Sequence, residues 1–261
     1  PRPFFRRCPI LRPMEEQPSN TGPAAATQPK RARGIYLLPN LFTTAALFAG
    51  FYAVLASMND QFEKAAIAIF VAMVLDGLDG RVARLTNTQT AFGAEYDSLS
   101  DMVAFGLAPA LVIYEWALSD MGKLGWLAAF IYTAGAALRL ARFNSQHDVA
   151  DSRFFTGLPS PSAAAVLAGW VWVGVEHGLP GGTGWAALVL TVVVGLLMVS
   201  NIRYPSFKHI DVKGKVPFIV IVAVMLVFAV ILAEPASVLF AGFAVYMFSG
   251  LALAVRRQWR K

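Results

Sequence analysis

Long apolar blocks alternate with short polar breaks along most of this chain. Each block holds about 20 residues, the length that crosses a bilayer as an α-helix. The pattern therefore predicts an all-α fold, a polytopic integral membrane bundle of about eight transmembrane helices. The predicted spans are 37–58, 65–86, 93–115, 124–143, 160–178, 184–202, 216–233 and 236–255. Only Glu234-Pro235 separates the last two, so this pair also fits a re-entrant hairpin.

The composition indicates that lipid is the solvent of this bundle. The 261 residues are 57% hydrophobic and 15% charged, whereas soluble domains carry roughly 25% charged residues. Cys8 is the single cysteine, which excludes an internal disulfide. The sequence pI of about 9.6 could point to nucleic acid. However, the basic residues lie at the ends of the apolar blocks, so we expect a membrane-surface role and no nucleic-acid partner.

The distribution of Lys and Arg predicts which way the bundle faces. With eight spans, twenty of the 22 basic residues fall on one side of the membrane, and only Lys64 and Lys123 fall on the other. Basic residues concentrate on the cytoplasmic side of membrane proteins. We therefore expect both termini in the cytoplasm and an even number of spans. The expected location is the bacterial inner membrane, with the active site on its cytoplasmic side.

The chain divides into a tail, a core and a C-terminal extension. Residues 1–34 lack an apolar segment, so we expect a disordered basic tail without a signal peptide. Met14 is the expected natural start, which would place residues 1–13 before it. Residues 35–205 form the predicted six-helix membrane core. Residues 206–261 hold a cytoplasmic loop, two further transmembrane helices and a basic C-terminal tail.

Two aspartates mark the polar end of the second span. Asp76 and Asp79 lie three residues apart on one helix face, and Gly80 and Ala83 share that face. Their small side chains allow a bulky group to approach the backbone closely. Arg84 adds a fixed positive charge at the same end, suited to a phosphate oxygen.

A second pair of aspartates lies on the next helix. Gly93, Asp97 and Asp101 recur every four residues and form one stripe. The short turn over 86–92 makes the two helices antiparallel neighbours. We therefore expect the two acidic stripes to face each other near the cytoplasmic membrane edge.

Four carboxylates in one cleft would repel each other and lose hydration unless a cation were present. Carboxylate oxygens suit Mg²⁺ or Mn²⁺, which often bridge substrate phosphates. The pattern predicts displacement at phosphorus, with metal ions neutralising the developing charge. Helix capping would need one aspartate at a helix terminus instead. A proton or cation pathway is a further alternative, but it does not explain the neighbouring small residues and arginine.

At these positions the sequence resembles the CDP-alcohol phosphotransferase family. The family signature D-x2-D-G-x2-A-R-x8-G-x3-D-x3-D matches at every fixed position, and the resemblance covers about residues 35–205. It implies a helical membrane core with a divalent-metal centre of two ions at the cytoplasmic edge, and a homodimer as a further expectation. The implied metal ligands are Asp76, Asp79, Asp97 and Asp101, and Asp101 is also the implied general base. The implied CDP-binding residues are Gly80, Ala83, Arg84 and Gly93.

Three further stretches, at 38–43, 139–144 and 154–162, resemble the phosphatidylserine synthase branch of this family. In the first, Asn40 and Thr43 are candidate nucleotide contacts, although a helix start explains the Pro-Asn pair equally well. In the second, Arg139, Arg142 and Asn144 are candidate ligands for the carboxylate of serine. Positive-inside anchoring explains the arginines too, and a phosphate-bearing acceptor would also need a basic clamp. The third stretch could equally be a Gly/Pro loop that enters the fifth span.

The resemblance implies transfer of the phosphatidyl group from CDP-diacylglycerol to L-serine, giving phosphatidylserine and CMP in phospholipid biosynthesis. The expected partners are CDP-diacylglycerol, L-serine and membrane lipids. One alternative is the same chemistry with glycerol 3-phosphate, an inositol phosphate or choline as acceptor. An alternative of another class is a cation-coupled transporter or a lipid-binding membrane protein.

Overall fold

The computed structural model describes residues 37–86, 90–145, 154–179, 184–205 and 218–258. This part of the chain forms eight helical segments, which confirms the predicted all-α membrane bundle. They are α1 (Leu37–Ser57), α2 (Phe62–Thr86), α3 (Ala91–Met121), α4 (Lys123–Ser145), α5 (Ser160–Glu176), α6 (Gly184–Val199), α7 (Phe218–Ala233) and α8 (Pro235–Gln258). The predicted tail over 1–34 lies outside the described residues, as does most of the loop before α7.

Helix α3 is longer than the predicted span 93–115, because the chain stays helical from Ala91 to Met121. Two π-helical stretches, Met102–Leu107 and Tyr114–Leu118, interrupt its α-helical hydrogen bonding. Pro109 explains the first stretch, because proline has no amide hydrogen to donate to the carbonyl of Phe105. The buried hydroxyl of Tyr132 on α4 donates to that carbonyl at 2.8 Å. This bond fixes α4 against the middle of α3.

Two short strands add a feature that the apolar pattern did not predict. Strand β1 (Phe154–Thr156) pairs antiparallel with β2 (Arg203–Pro205), and Phe155 lies opposite Tyr204. Helix α6 accordingly ends at Val199 rather than at residue 202. Gly157 turns the chain out of β1 with a φ of 81°, and its amide donates to the carbonyl of Ile202 at 2.8 Å. Only glycine adopts such a φ without steric cost.

Small residues allow the helices of the bundle to pack closely. The buried core is rich in alanine on α1, α2 and α5. Gly135 on α4 and Gly195 on α6 face each other, and a Cβ on Gly135 would stand 2.5 Å from the carbonyl oxygen of Gly195. Small residues at such crossings are typical of helix association in membranes, where dispersion contacts replace the hydrophobic effect.

The outer surface of the bundle is apolar. Large hydrophobic side chains such as Phe48, Phe130 and Leu196 are more than half exposed. Four helices are long and apolar enough to cross a membrane by length and composition, namely α1, α3, α4 and α8. Helices α6 and α7 are shorter apolar helices, and α2 carries the charged motif. The chain breaks at Glu234 between α7 and α8, at the position that the sequence predicted.

This architecture predicts where each turn lies relative to the membrane. In a Cys8→Ser background, Met58→Cys in the turn after α1 should react with a membrane-impermeant thiol reagent in intact cells. Arg256→Cys at the end of α8 should react only after the membrane is permeabilised, because seven further crossings separate the two positions. Labelling of Arg256→Cys in intact cells would contradict the eight-span topology.

Candidate active site

The two acidic stripes face each other across α2 and α3. One carboxylate oxygen from each of Asp76, Asp97 and Asp101 can be chosen so that all three lie within 4.8 Å of one another. All three residues are half-buried. The i, i+4 spacing of Asp97 and Asp101 places both on the side of α3 that meets α2. The bundle therefore concentrates three negative charges in a small, partly dehydrated space.

The fourth aspartate is held by α1. Asp79 is only 6% exposed, and its Oδ2 atom accepts a hydrogen bond from the hydroxyl of Thr43 at 2.7 Å. The backbone carbonyl of Thr43 in turn accepts a bond from the hydroxyl of Ser100 on α3 at 3.1 Å. The carboxylates of Asp79 and Asp97 also lie close enough to repel each other. Three helices are thus tied together at the level of the acidic cluster.

The cluster has the donors that a divalent cation needs. The Oδ1 atom of Asp97 is buried and has no hydrogen-bond partner among the described residues. A buried carboxylate oxygen without a partner costs free energy that a cation would recover. Asp76 and Asp101 supply further oxygen ligands, the type that hard divalent ions prefer. These residues could therefore hold a divalent metal ion, which would neutralise charge on a bound phosphate.

The predicted nucleotide side of α2 is open. A Cβ added to Gly77 would meet nothing within 4 Å, and one added to Gly80 would meet only the Arg84 guanidinium at 3.9 Å. Arg84 is exposed, and its Nε atom donates to the carbonyl of Gly80 at 2.7 Å. Ala83 is half-buried between them on the same helix. The surface beside the aspartates is therefore accessible and carries a positive charge.

The start of α3 adds Gly93 and Asn40 to this side. Thr90 caps α3, because its hydroxyl accepts the amide hydrogen of Gly93 at 3.0 Å. A Cβ on Gly93 would stand 3.6 Å from Oδ1 of Asn40 on α1. Asn40 and Gly93 are thus neighbours, although 53 positions separate them in the sequence. Thr43 differs from these two, because its hydroxyl is directed to Asp79.

Arg139 on α4 is the basic residue next to the acidic cluster on the Asp101 side. Its side chain is half-buried, and its positive charge lies close enough to the Asp101 carboxylate to attract it. One terminal nitrogen donates to the hydroxyl of Ser160 at 2.7 Å, while the buried Nε atom has no partner among the described residues. Arg139 therefore brings a positive charge to the Asp101 side of the site. Its Nε–H group is also available to donate a hydrogen bond to a bound ligand.

The other two predicted acceptor residues make different contacts. Arg142 donates to Oδ1 of Asn201 at 2.6 Å and to the carbonyl of Val199 at 3.4 Å. Asn144 donates to the hydroxyl of Ser98, the residue after Asp97, at 3.0 Å. Asn144 thus approaches the acidic helix, whereas Arg142 is engaged with the segment after α6.

Several polar residues that organise the site were not predicted. Ser98, Ser100 and Ser160 each bond to a predicted site residue, and Tyr132 fixes the helix that carries Arg139. Serine in a helix has no periodic signature of its own. The one available signal was the place of Ser160 in the stretch at 154–162.

Comparisons with known proteins show which family the chain belongs to. The CDP-alcohol phosphatidyltransferase family profile matches residues 36–197. The chain is 41% identical over 195 residues to the CDP-diacylglycerol–serine O-phosphatidyltransferase of Helicobacter pylori, covering 74% of this chain and 82% of that protein. It is 35% identical over 193 residues to the Mycobacterium tuberculosis protein of the same name, covering 71% and 67%.

A third relative matches a shorter part of the chain. The chain is 37% identical over 163 residues to the CDP-diacylglycerol–serine O-phosphatidyltransferase of Methanocaldococcus jannaschii, covering 62% of this chain and 71% of that protein. The family match includes all four aspartates and extends into α6. This chain is therefore an integral membrane protein of the CDP-alcohol phosphatidyltransferase family.

Proposed function

We propose that this protein transfers the phosphatidyl group of CDP-diacylglycerol to L-serine and releases CMP. The observation that carries the proposal is the juxtaposition of an acidic cluster that could hold a metal ion with the half-buried cation of Arg139. The cluster suits a pyrophosphate bound through a divalent ion, and the cation suits an acceptor that bears a carboxylate. The relatives that carry the name of this reaction support the same acceptor.

The proposed binding step uses the open face of α2. The CDP group would lie along Gly80 and Ala83, with Arg84 and the Asn40–Gly93 corner beside it. The site would hold divalent metal ions, either Mg²⁺ or Mn²⁺, through the carboxylates of Asp76, Asp79, Asp97 and Asp101. Family resemblance implies two such ions. When bound, the metal neutralises the negative charge of the pyrophosphate and of the departing CMP. The hydrogen bond from Thr43 would orient Asp79 for this role.

The proposed chemical step takes place on the Asp101 side. Asp101 accepts the hydroxyl proton of serine, and the serine oxygen attacks the phosphorus that carries diacylglycerol. A new phosphorus–oxygen bond forms to serine as the bond to CMP breaks, and CMP leaves with the electron pair. Arg139 and Asn144 would bind the serine carboxylate, with Arg142 supporting the segment behind them. In this arrangement the hydroxyl can reach phosphorus opposite the leaving group.

The proposed setting follows from charge and apolar surface. We propose that the site opens at the cytoplasmic edge of a bacterial inner membrane, where the basic residues cluster. Acyl chains would then stay in the bilayer while the headgroup enters the cleft. The six-helix core over 35–205 would carry the site, with the extension over 206–261 added to it. The homodimer implied by family resemblance stays a prediction.

An acceptor screen tests the proposal most broadly. Purified protein with CDP-diacylglycerol and Mn²⁺ should release CMP in proportion to added L-serine and form phosphatidylserine. Glycerol 3-phosphate, inositol phosphate and choline should give much slower release. Faster turnover with any of these three would replace the proposed acceptor. Absence of CMP release with every acceptor would favour a transporter or lipid-binding protein.

The roles of the aspartates can be separated by isosteric substitution. Asp101→Asn keeps size but removes the base, so turnover should fall by about 10²–10⁴-fold while metal-dependent CDP-diacylglycerol binding changes little. Asp79→Asn should instead weaken the binding of metal and nucleotide. Steady-state turnover and equilibrium binding of CDP-diacylglycerol measure the two effects. Loss of binding in Asp101→Asn with intact binding in Asp79→Asn would reverse the assignment.

A further inference from the structure

Two segments, residues 154–160 and 197–205, pack together beside the predicted acceptor site, and we call this pair the cap. The pairing of β1 with β2 joins them, and the amide of Leu158 donates to the carbonyl of Leu197 at 3.0 Å. Each segment binds one arginine of α4. Ser160 accepts from Arg139, and Asn201 accepts from Arg142. The position of the cap therefore sets where both guanidinium groups lie.

Tyr204 connects the cap to the last helix. Its side chain is fully buried, and its hydroxyl donates to the carbonyl of Met247 on α8 at 3.3 Å. Its ring lies 5.6 Å, centroid to centroid, from the ring of Tyr246. Burial, together with Tyr246, raises the pKa of the Tyr204 hydroxyl to about 12, so it remains a donor near neutral pH. The Tyr246 hydroxyl in turn lies close enough to the Arg139 guanidinium for the two groups to interact electrostatically.

Gly250 provides the space in which the Tyr204 ring lies. A Cβ on Gly250 would stand closer than 3.0 Å to three ring carbons of Tyr204. The ring has little freedom to move away, because it is buried and its backbone is paired in β2 with Phe155. An added methyl group would therefore push on the strand. Glycine in a helix interior costs roughly 1 kcal/mol relative to alanine, so the helix itself gains nothing from glycine here.

We propose that Tyr204 and Gly250 form a lock through which α8 positions Arg139 and Arg142 for the acceptor. The inference rests on the proposed function, because that function assigns Arg139 to acceptor binding and Arg142 to the support of the segment behind it. It adds a role for α8, which lies beyond the family match that ends at residue 197. Tyr204 acts in it as a positioning residue: it touches the cap, and the cap holds the arginines. The CDP-binding face on α2 and the start of α3 is not part of this chain of contacts.

The test compares two glycines of the same helix. Gly250→Ala should displace the cap and raise the serine KM by about 10–100-fold, the scale expected when a positioning group moves by about 1 Å. The CDP-diacylglycerol KM should stay within about twofold, because that face is held by other helices. Gly242→Ala is the matched control, since a Cβ there meets nothing within 4 Å and both KM values should stay unchanged.

A second substitution separates positioning from folding. Tyr204→Leu removes the ring that Gly250→Ala would strike, so the double variant should recover part of the serine affinity lost in Gly250→Ala. If Gly250→Ala does not yield folded protein, Tyr204→Leu alone should still raise the serine KM selectively, because the cap loses its anchor on α8. The proposal would be wrong if both KM values increased in parallel, or if the serine KM of Gly250→Ala were unchanged. Wild-type protein without serine-dependent CMP release would instead refute the proposed function.

Discussion

Mutual repulsion among half-buried carboxylates is the constraint on which the rest of this structure depends. Asp76, Asp97 and Asp101 bring their oxygens within 4.8 Å of one another, and one oxygen of Asp97 is buried without a partner. Like charges held this close in a poorly hydrated site destabilise the fold unless positive charge compensates them. The bundle places the positive charge of Arg139 close to Asp101. A divalent cation is the compensation that the oxygen donors suit, and the same cation prepares the site for a pyrophosphate.

Close helix packing determines that the arginine and the acids meet. Tyr132 satisfies the carbonyl that Pro109 leaves without a helical donor, and this fixes α4 against α3. The contact of Gly135 with Gly195 then packs α6 closely against α4. Arg139 lies on α4 two turns beyond Tyr132, which brings it to the level of Asp101. Sequence features that look unrelated to chemistry thus place the charges of the site.

The sequence predicted those parts of the fold and site that depend on local periodicity. Apolar blocks defined eight helices, and spacings of three and four residues placed the aspartates on facing stripes. It did not predict contacts that arise from packing between distant segments. Thr43 reaches Asp79 only because α1 lies along α2, and Arg142 meets Asn201 only because α6 ends early. The paired strands contain three residues each, too few to show an alternation of apolar and polar residues in the sequence.

Direct measurement of metal binding tests the central claim that the acidic cluster is a cation site. Electron paramagnetic resonance of Mn²⁺ added to purified protein reports bound and free ion without any need for turnover. The account predicts saturable binding by the wild-type protein and a loss of at least about tenfold in affinity for Asp97→Asn, which removes one carboxylate charge from the cluster. Glu95→Gln, an exposed neighbour on α3, should bind Mn²⁺ like the wild type. Equal binding by Asp97→Asn and wild type would contradict the account.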